Sequence, residues 1–173
     1  MKRVTLSVLL LISLTLQAGA SQECSLPPRL DSEISRKYPG KKVVTHADIS
    51  DVNDRKLFRK EHGSRCPGLV KVNFYGDGNP TWALVLINDG GTKREAELLV
   101  AHRIANSWDL RSLDRAGDAV PVVWSEPPGD YEDVYGEKKI KAKYPVIMFV
   151  RYESWAIAYS WTGKNVEKVW LAD

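Results

Sequence analysis

Residues 73–87 read NFYGDGNPTWALVLI, and the two halves of this stretch decide how the chain folds. The first half resembles a calcium loop of the D-x-[DN]-x-[DN]-G type, which collects roughly six to eight hard oxygens from alternate positions. Here the alternate positions are Asn73, Tyr75, Asp77, Asn79 and Thr81, with a single carboxylate among them. That is too little negative charge to draw calcium from water. Asn73, Asp77 and Asn79 are the side chains a cation would have to use, and they form a poor set. Gly76, Gly78 and Asn79 are instead the residues a tight hairpin needs at positive backbone angles. The stretch is therefore read as a turn.

The second half is apolar on both faces, with Trp82, Leu84 and Leu86 alternating with Ala83, Val85 and Ile87. A strand buried on both sides is central to its sheet. Residues 69–74 supply the other arm of the hairpin. Working outward, Asp89-Gly90-Gly91 marks another turn and residues 94–103 a third strand. For residues 95–105 a helix stands as the alternative, because EAELLVAHRIA is rich in helix formers. Residues 108–113 and 120–124 read as two shorter strands.

The last third reads as an antiparallel meander of strands 145–152, 155–161 and 166–171, turned at Glu153-Ser154 and Gly163-Lys164. In its middle strand Trp155, Ile157, Tyr159 and Trp161 share one face, which suits a core. Ala156, Ala158 and Ser160 share the other, which lets a helix or a second layer approach closely. All six tryptophans follow residue 80, so the C-terminal half should hold most of the core.

Helical periodicity is confined to the front of the chain. After Pro27-Pro28, Leu30, Ile34 and Tyr38 fall at helical spacing until Pro39-Gly40 stops the run. A short extended piece is expected at 42–45. Asp48 or Ser50 then caps a second, mostly charged helix that ends at Gly63, with Leu57 and Phe58 its apolar contacts. Helices segregated before strands imply an α+β fold: two N-terminal helices on a largely antiparallel, twisted sheet of about six to eight strands.

Residues 1–20 read as a secretory signal peptide, with Lys2 and Arg3 ahead of an apolar stretch and Ala18-Gly19-Ala20 as the exit. A membrane span needs about 20 apolar residues, and Ser13, Thr15 and Gln17 interrupt this run. Cleavage near Ala20 leaves one α+β domain, residues 21–173, in the periplasm or outside the cell, with no membrane attachment. Losing Lys2 and Arg3 takes the net charge from +3 to +1. That is no electrostatic footprint for nucleic acid. In an oxidising compartment the two cysteines, Cys24 and Cys66, are expected to pair, tying the N-terminal segment to the start of the sheet. A metal pair or a reactive thiol would be the alternative, but neither cysteine lies in a C-x-x-C or beside a histidine.

CPGLV at Cys66, FYGDGNPTWALVLI at Phe74, PPGDYE at Pro127 and YSWTGKNVEKVWLAD at Tyr159 together resemble a family of small exported bacterial proteins without an established activity. The resemblance runs over almost the whole chain after the leader. The hairpin loop is similar to the GDG turns of calcium-binding repeat proteins, in which an aspartate usually stands at the position of Thr81. Having no established activity, the family contributes no catalytic residues to carry over, and no cofactor is expected.

No G-x-S-x-G, H-E-x-x-H, phosphate loop or dinucleotide fingerprint occurs, and His46, His62 and His102 fall in three separate elements. The informative segment is 127–144, PPGDYEDVYGEKKIKAKY. An acidic loop through Asp130, Tyr131, Glu132, Asp133 and Tyr135 turns at Gly136 into a strand with Lys139, Lys141 and Lys143 on one face. Charged edges also serve only to block unwanted pairing, but tyrosines flanked by charge suit a protein interface. The expected function is a non-catalytic exported protein that binds a cell-envelope protein or toxin as an inhibitor or immunity factor. A glycan or small-ligand module and an enzyme with an unrecognised site are the competing classes.

Overall fold

The computed structural model describes residues 24–88, 95–117 and 120–172. The leader with its cleavage point, and the turn at Asp89-Gly90-Gly91, lie outside the described residues.

Strand β3 (Thr81–Asn88) organises the first sheet. One of its edges is shared end to end by β1 (Lys41–Val43) and β2 (Leu69–Val72), and the other pairs with β4 (Glu95–Ile104), which pairs in turn with β5 (Ser107–Gly117). All these pairings are antiparallel. Where β1 and β2 abut, Val44 N donates to Val85 O at 3.0 Å and Val85 N to Gly68 O at 2.9 Å. A Cβ on Gly68 would stand 2.4 Å from Val44 O, so only glycine fits this junction. The register Val72↔Thr81 confirms the expected hairpin around residues 73–80.

The second sheet has the order β11 (Val166–Ala172), β10 (Trp155–Trp161), β9 (Val146–Arg151), β6 (Val122–Glu126), which contains the expected meander. A separate hairpin joins β7 (Gly129–Glu132) to β8 (Lys139–Ala142). The expectation of a single sheet of six to eight strands is thus corrected to eleven strands among the described residues, in two stacked sheets and a hairpin. Strands buried on both faces look central in either arrangement, so their composition does not distinguish one sheet from two.

Between the sheets, Ala83, Val85, Ile87, Leu98 and Val100 meet Val123, Ile147, Phe149, Ile157 and Tyr159. Pro67 O accepts from Val123 N at 2.7 Å, stitching the sheets together at the CPG segment. Helix α1 (Pro28–Lys37) covers the outer face of the first sheet, placing Leu30 and Ile34 on Leu84, Leu86, Leu99 and Ala101. Each of these two helix side chains contributes about 2 kcal/mol by burial. The disulfide Cys24–Cys66 closes the same cluster. Helix α2 (Val52–His62) seats Phe58 on the outer face of the second sheet, over the small-residue face of β10 at Ala158. Ile140 and Ala142 of β8 share that cluster.

Residues 95–104 are strand, so the helix alternative does not hold there. Alternate side chains serve both cores, Ala96, Leu98 and Val100 inward and Leu99 and Ala101 under α1, and this overrides helix propensity. The cap of α2 is Asp51, whose carboxylate accepts from Asn53 N at 2.6 Å, and neither Asp48 nor Ser50 fills that role. Asp48 is held upstream instead, accepting from Thr45 N at 2.9 Å and Thr45 Oγ1 at 2.8 Å. Gly63 ends the helix as expected, at φ +67°.

Candidate functional site

The loop between β2 and β3 uses its polar groups on itself. Asn73 Oδ1 accepts from Gly78 N at 3.2 Å, and Asp77 accepts from Asn79 N at 3.0 Å and Asn79 Nδ2 at 2.9 Å. Asp77 Oδ2 also lies 3.0 Å from His102 Nε2, and His102 Nδ1 lies 3.0 Å from Thr81 Oγ1. Burial pushes the Asp77 carboxyl up, but the bonds from Asn79 and the contact with His102 hold it below the usual carboxylate range. An Asp–His–Thr chain has the makings of a nucleophile relay. Thr81 is fully buried, however, and its hydroxyl has no open approach for a substrate. The chain works as a clamp on the loop.

The other two histidines flank Phe58, His46 at 5.6 Å and His62 at 4.8 Å between ring centroids. His62 also packs on Trp124 at 4.5 Å, and burial lowers its pKa against the opposing charge of Glu61. The sequence separates these residues, whereas the fold wraps two of them around one aromatic side chain. The buried Glu97 and the half-buried Asp114 are each held in a charged network. Glu97 pairs with Lys41 and, at 3.7 Å, with Arg115. Asp114 accepts from Tyr159 Oη and pairs with Lys168 at 2.6 Å. Burial raises the pKa of Tyr159 and the bond to Asp114 raises it further, which keeps the phenol protonated. Among the described residues no group of three or more His, Cys, Asp or Glu side chains gathers as a metal site.

The segment read as an acidic loop is the β7–β8 hairpin. Asp130, Tyr131 and Glu132 lie in β7, in register with Lys141, Ile140 and Lys139. An alternating strand was hidden there because Gly129 and the run of acidic residues resemble a loop. Lys139 Nζ lies 3.6 Å from Asp130 and 3.7 Å from Glu132, so much of the charge is compensated within the hairpin. Tyr131 turns partly inward, packs against the outer core and donates to Pro127 O at 2.6 Å. Lys139 and Lys141 point outward from β8, whereas Lys143 lies beyond the strand end. Asp133 closes the turn, accepting from Glu137 N at 2.8 Å. Of the eight candidate interface residues, Tyr135 is the one large apolar side chain left open, 68% exposed.

Two neighbours of Tyr135 were not singled out by the sequence. Val134 is 48% exposed and Trp170 39%, and Val134 N donates to Trp170 O at 2.8 Å. The hairpin tip is thereby fixed to β11, the edge strand of the second sheet. Trp170 alternates with Val169 as a core tryptophan would, and only its place on an edge strand exposes it. Lys168 lies over its ring at 5.7 Å.

No helix among the described residues is long and apolar enough to cross a membrane. Comparisons with family models, with curated proteins and with solved structures return no match.

Proposed function

We propose that this is an exported, non-catalytic protein that binds another protein of the cell envelope, in the manner of an inhibitor or immunity factor, through the face formed by the β7–β8 tip and β11. The observation that carries this reading is the meeting of Val134, Tyr135 and Trp170 at one place, three of the five large hydrophobic side chains most exposed among the described residues. Aromatic anchors ringed by charge are the composition of interface centres. Here the ring of charge is Asp130, Glu132, Lys139 and Lys168. The disulfide and the leader-like N-terminus support an extracytoplasmic location.

Affinity capture from an envelope extract tests this reading. The wild-type protein is expected to retain a discrete partner, and a Tyr135→Ser, Trp170→Ser double variant to bind the purified partner at least about tenfold more weakly. Capture of no protein, or equal binding by the variant, contradicts it. A glycan-binding reading would use Trp170 as a stacking platform. The nearest tryptophan ring, Trp155 at 6.3 Å, is inclined at 73°, so the two form no flat double platform for sugars.

A further inference from the structure

Helix α2 carries Arg55, Lys56 and Arg59, which with Thr45, His46, Ala47 and Val52 line a cavity of about 640 Å³. Arg55 and Arg59 stand four residues apart, where like charges repel along a helix. Among the described residues, no carboxylate forms an ion pair with any of the three cations. Three of the nearby acids, Asp48, Asp51 and Glu61, are engaged elsewhere. Asp51 caps the amides of Asn53 and Asp54, and Glu61 accepts from Tyr152 Oη at 3.2 Å; Asp54 stands among the like charges of Asp51 and Glu153, opposed by Arg151. Asp48 is bonded by Thr45 and paired with Lys42 at 2.9 Å. His46 adds a second, independent feature: its Nδ1 is buried without a hydrogen-bond partner.

We propose that this cavity binds a phosphate group carrying more than one negative charge. Arg55 and Arg59 offer planar forks of donors that match phosphate oxygens, and Lys56 adds a point charge. Since Asp51 already occupies the first-turn amides, the side chains and not the helix end supply the attraction. The same chemistry is found in a free phosphoanhydride and in the exposed phosphomonoester of a lipid headgroup. The site lies on α2 and is independent of the hairpin face.

Isothermal titration of the purified protein with pyrophosphate, alongside co-sedimentation with phosphatidylcholine vesicles with and without phosphatidic acid, tests the proposal. Saturable one-to-one binding is expected, weakened about tenfold or more in an Arg55→Gln, Arg59→Gln double variant. Lys56→Gln should weaken it less, and Lys139→Gln, outside the cavity, should leave it unchanged. The His46 ring resonances should move and saturate with the same midpoint. Binding of free pyrophosphate identifies a soluble ligand, and binding only of phosphatidic acid vesicles identifies a lipid headgroup. Binding of neither, or equal binding by the double variant, overturns the proposal.

Discussion

His102 Nε2 lies 3.0 Å from Asp77 Oδ2, which fastens the tip of the β2–β3 hairpin to the far strand β4. An ionised Asp77 only accepts, so in the neutral ring the proton sits on Nε2 and Nδ1 is free to accept from the Thr81 hydroxyl. The polar side chains of the calcium-like loop thus bond to the loop's own amides and to His102.

Asp77→Asn should cost about 1 kcal/mol at neutral pH through the weakened contacts to Asn79 and His102. The folded-state pKa of Asp77 is lowered, so its stabilisation is present above the ordinary carboxylate range and is lost as pH falls through the folded value. Urea unfolding should therefore show the gap between wild type and variant closing as pH falls below the ordinary carboxylate range. Calcium should change neither curve.

The two loop glycines should differ in cost. Gly78 has φ +78° with nothing within 4 Å of a built Cβ, so Gly78→Val should cost about 1–3 kcal/mol from backbone strain alone. Gly76 has φ +70°, and a Cβ there would stand 2.0 Å from the Tyr144 ring. Gly76→Ala should accordingly be worse than Gly78→Ala by about 2 kcal/mol. Denaturation midpoints of the alanine pair, read with and without calcium chloride, decide the matter. A loss of stability confined to calcium-containing buffer would contradict the hairpin reading.

Lys41→Met should destabilise the protein by about 3 kcal/mol, because it removes the chief partner of the buried Glu97 carboxylate. In the wild type burial opposes the charge of Glu97, but the bonds from Lys41 and Ser112 and the charge of Arg115 hold its pKa down. That stabilisation is present above the unfolded carboxylate value and disappears as pH falls through the folded one. Without Lys41 the carboxyl should accept a proton more readily, so the deficit of the variant should shrink on acidification. A deficit of constant size from neutral to acid pH would contradict this role.

Replacing Cys24 and Cys66 by serine releases a cross-link across 42 residues and should cost about 4 kcal/mol. The first amides to lose protection in hydrogen exchange should be those of α1, whose Leu30 and Ile34 share the cluster that the disulfide closes.

Much of the fold was legible where local chemistry and tertiary demand agree. Gly76 and Gly78 both have positive φ although Asn79, expected to share it, does not; α1 buries Leu30 and Ile34, and the meander follows from alternation and its two turns. Cys24 and Cys66 pair as an oxidising compartment implies. What stayed hidden depends on partners distant in the chain. Residues 95–104 become a strand because β3 and β5 flank them, and an apolar β3 looks the same in one sheet or in two. Tyr131 looked like a recognition residue but is drawn partly into the outer core. Trp170 looked like core but lies open, since burial on an edge strand depends on what covers the edge.

The most direct test of the hairpin face is photo-crosslinking in intact cells, with a photoreactive phenylalanine analogue placed at position 135 and, as a control, at position 162 in the β10–β11 turn. A single protein adduct of discrete mass is expected at 135 and none at 162. No adduct at 135, or the same adduct at both positions, would contradict binding through Tyr135 and Trp170.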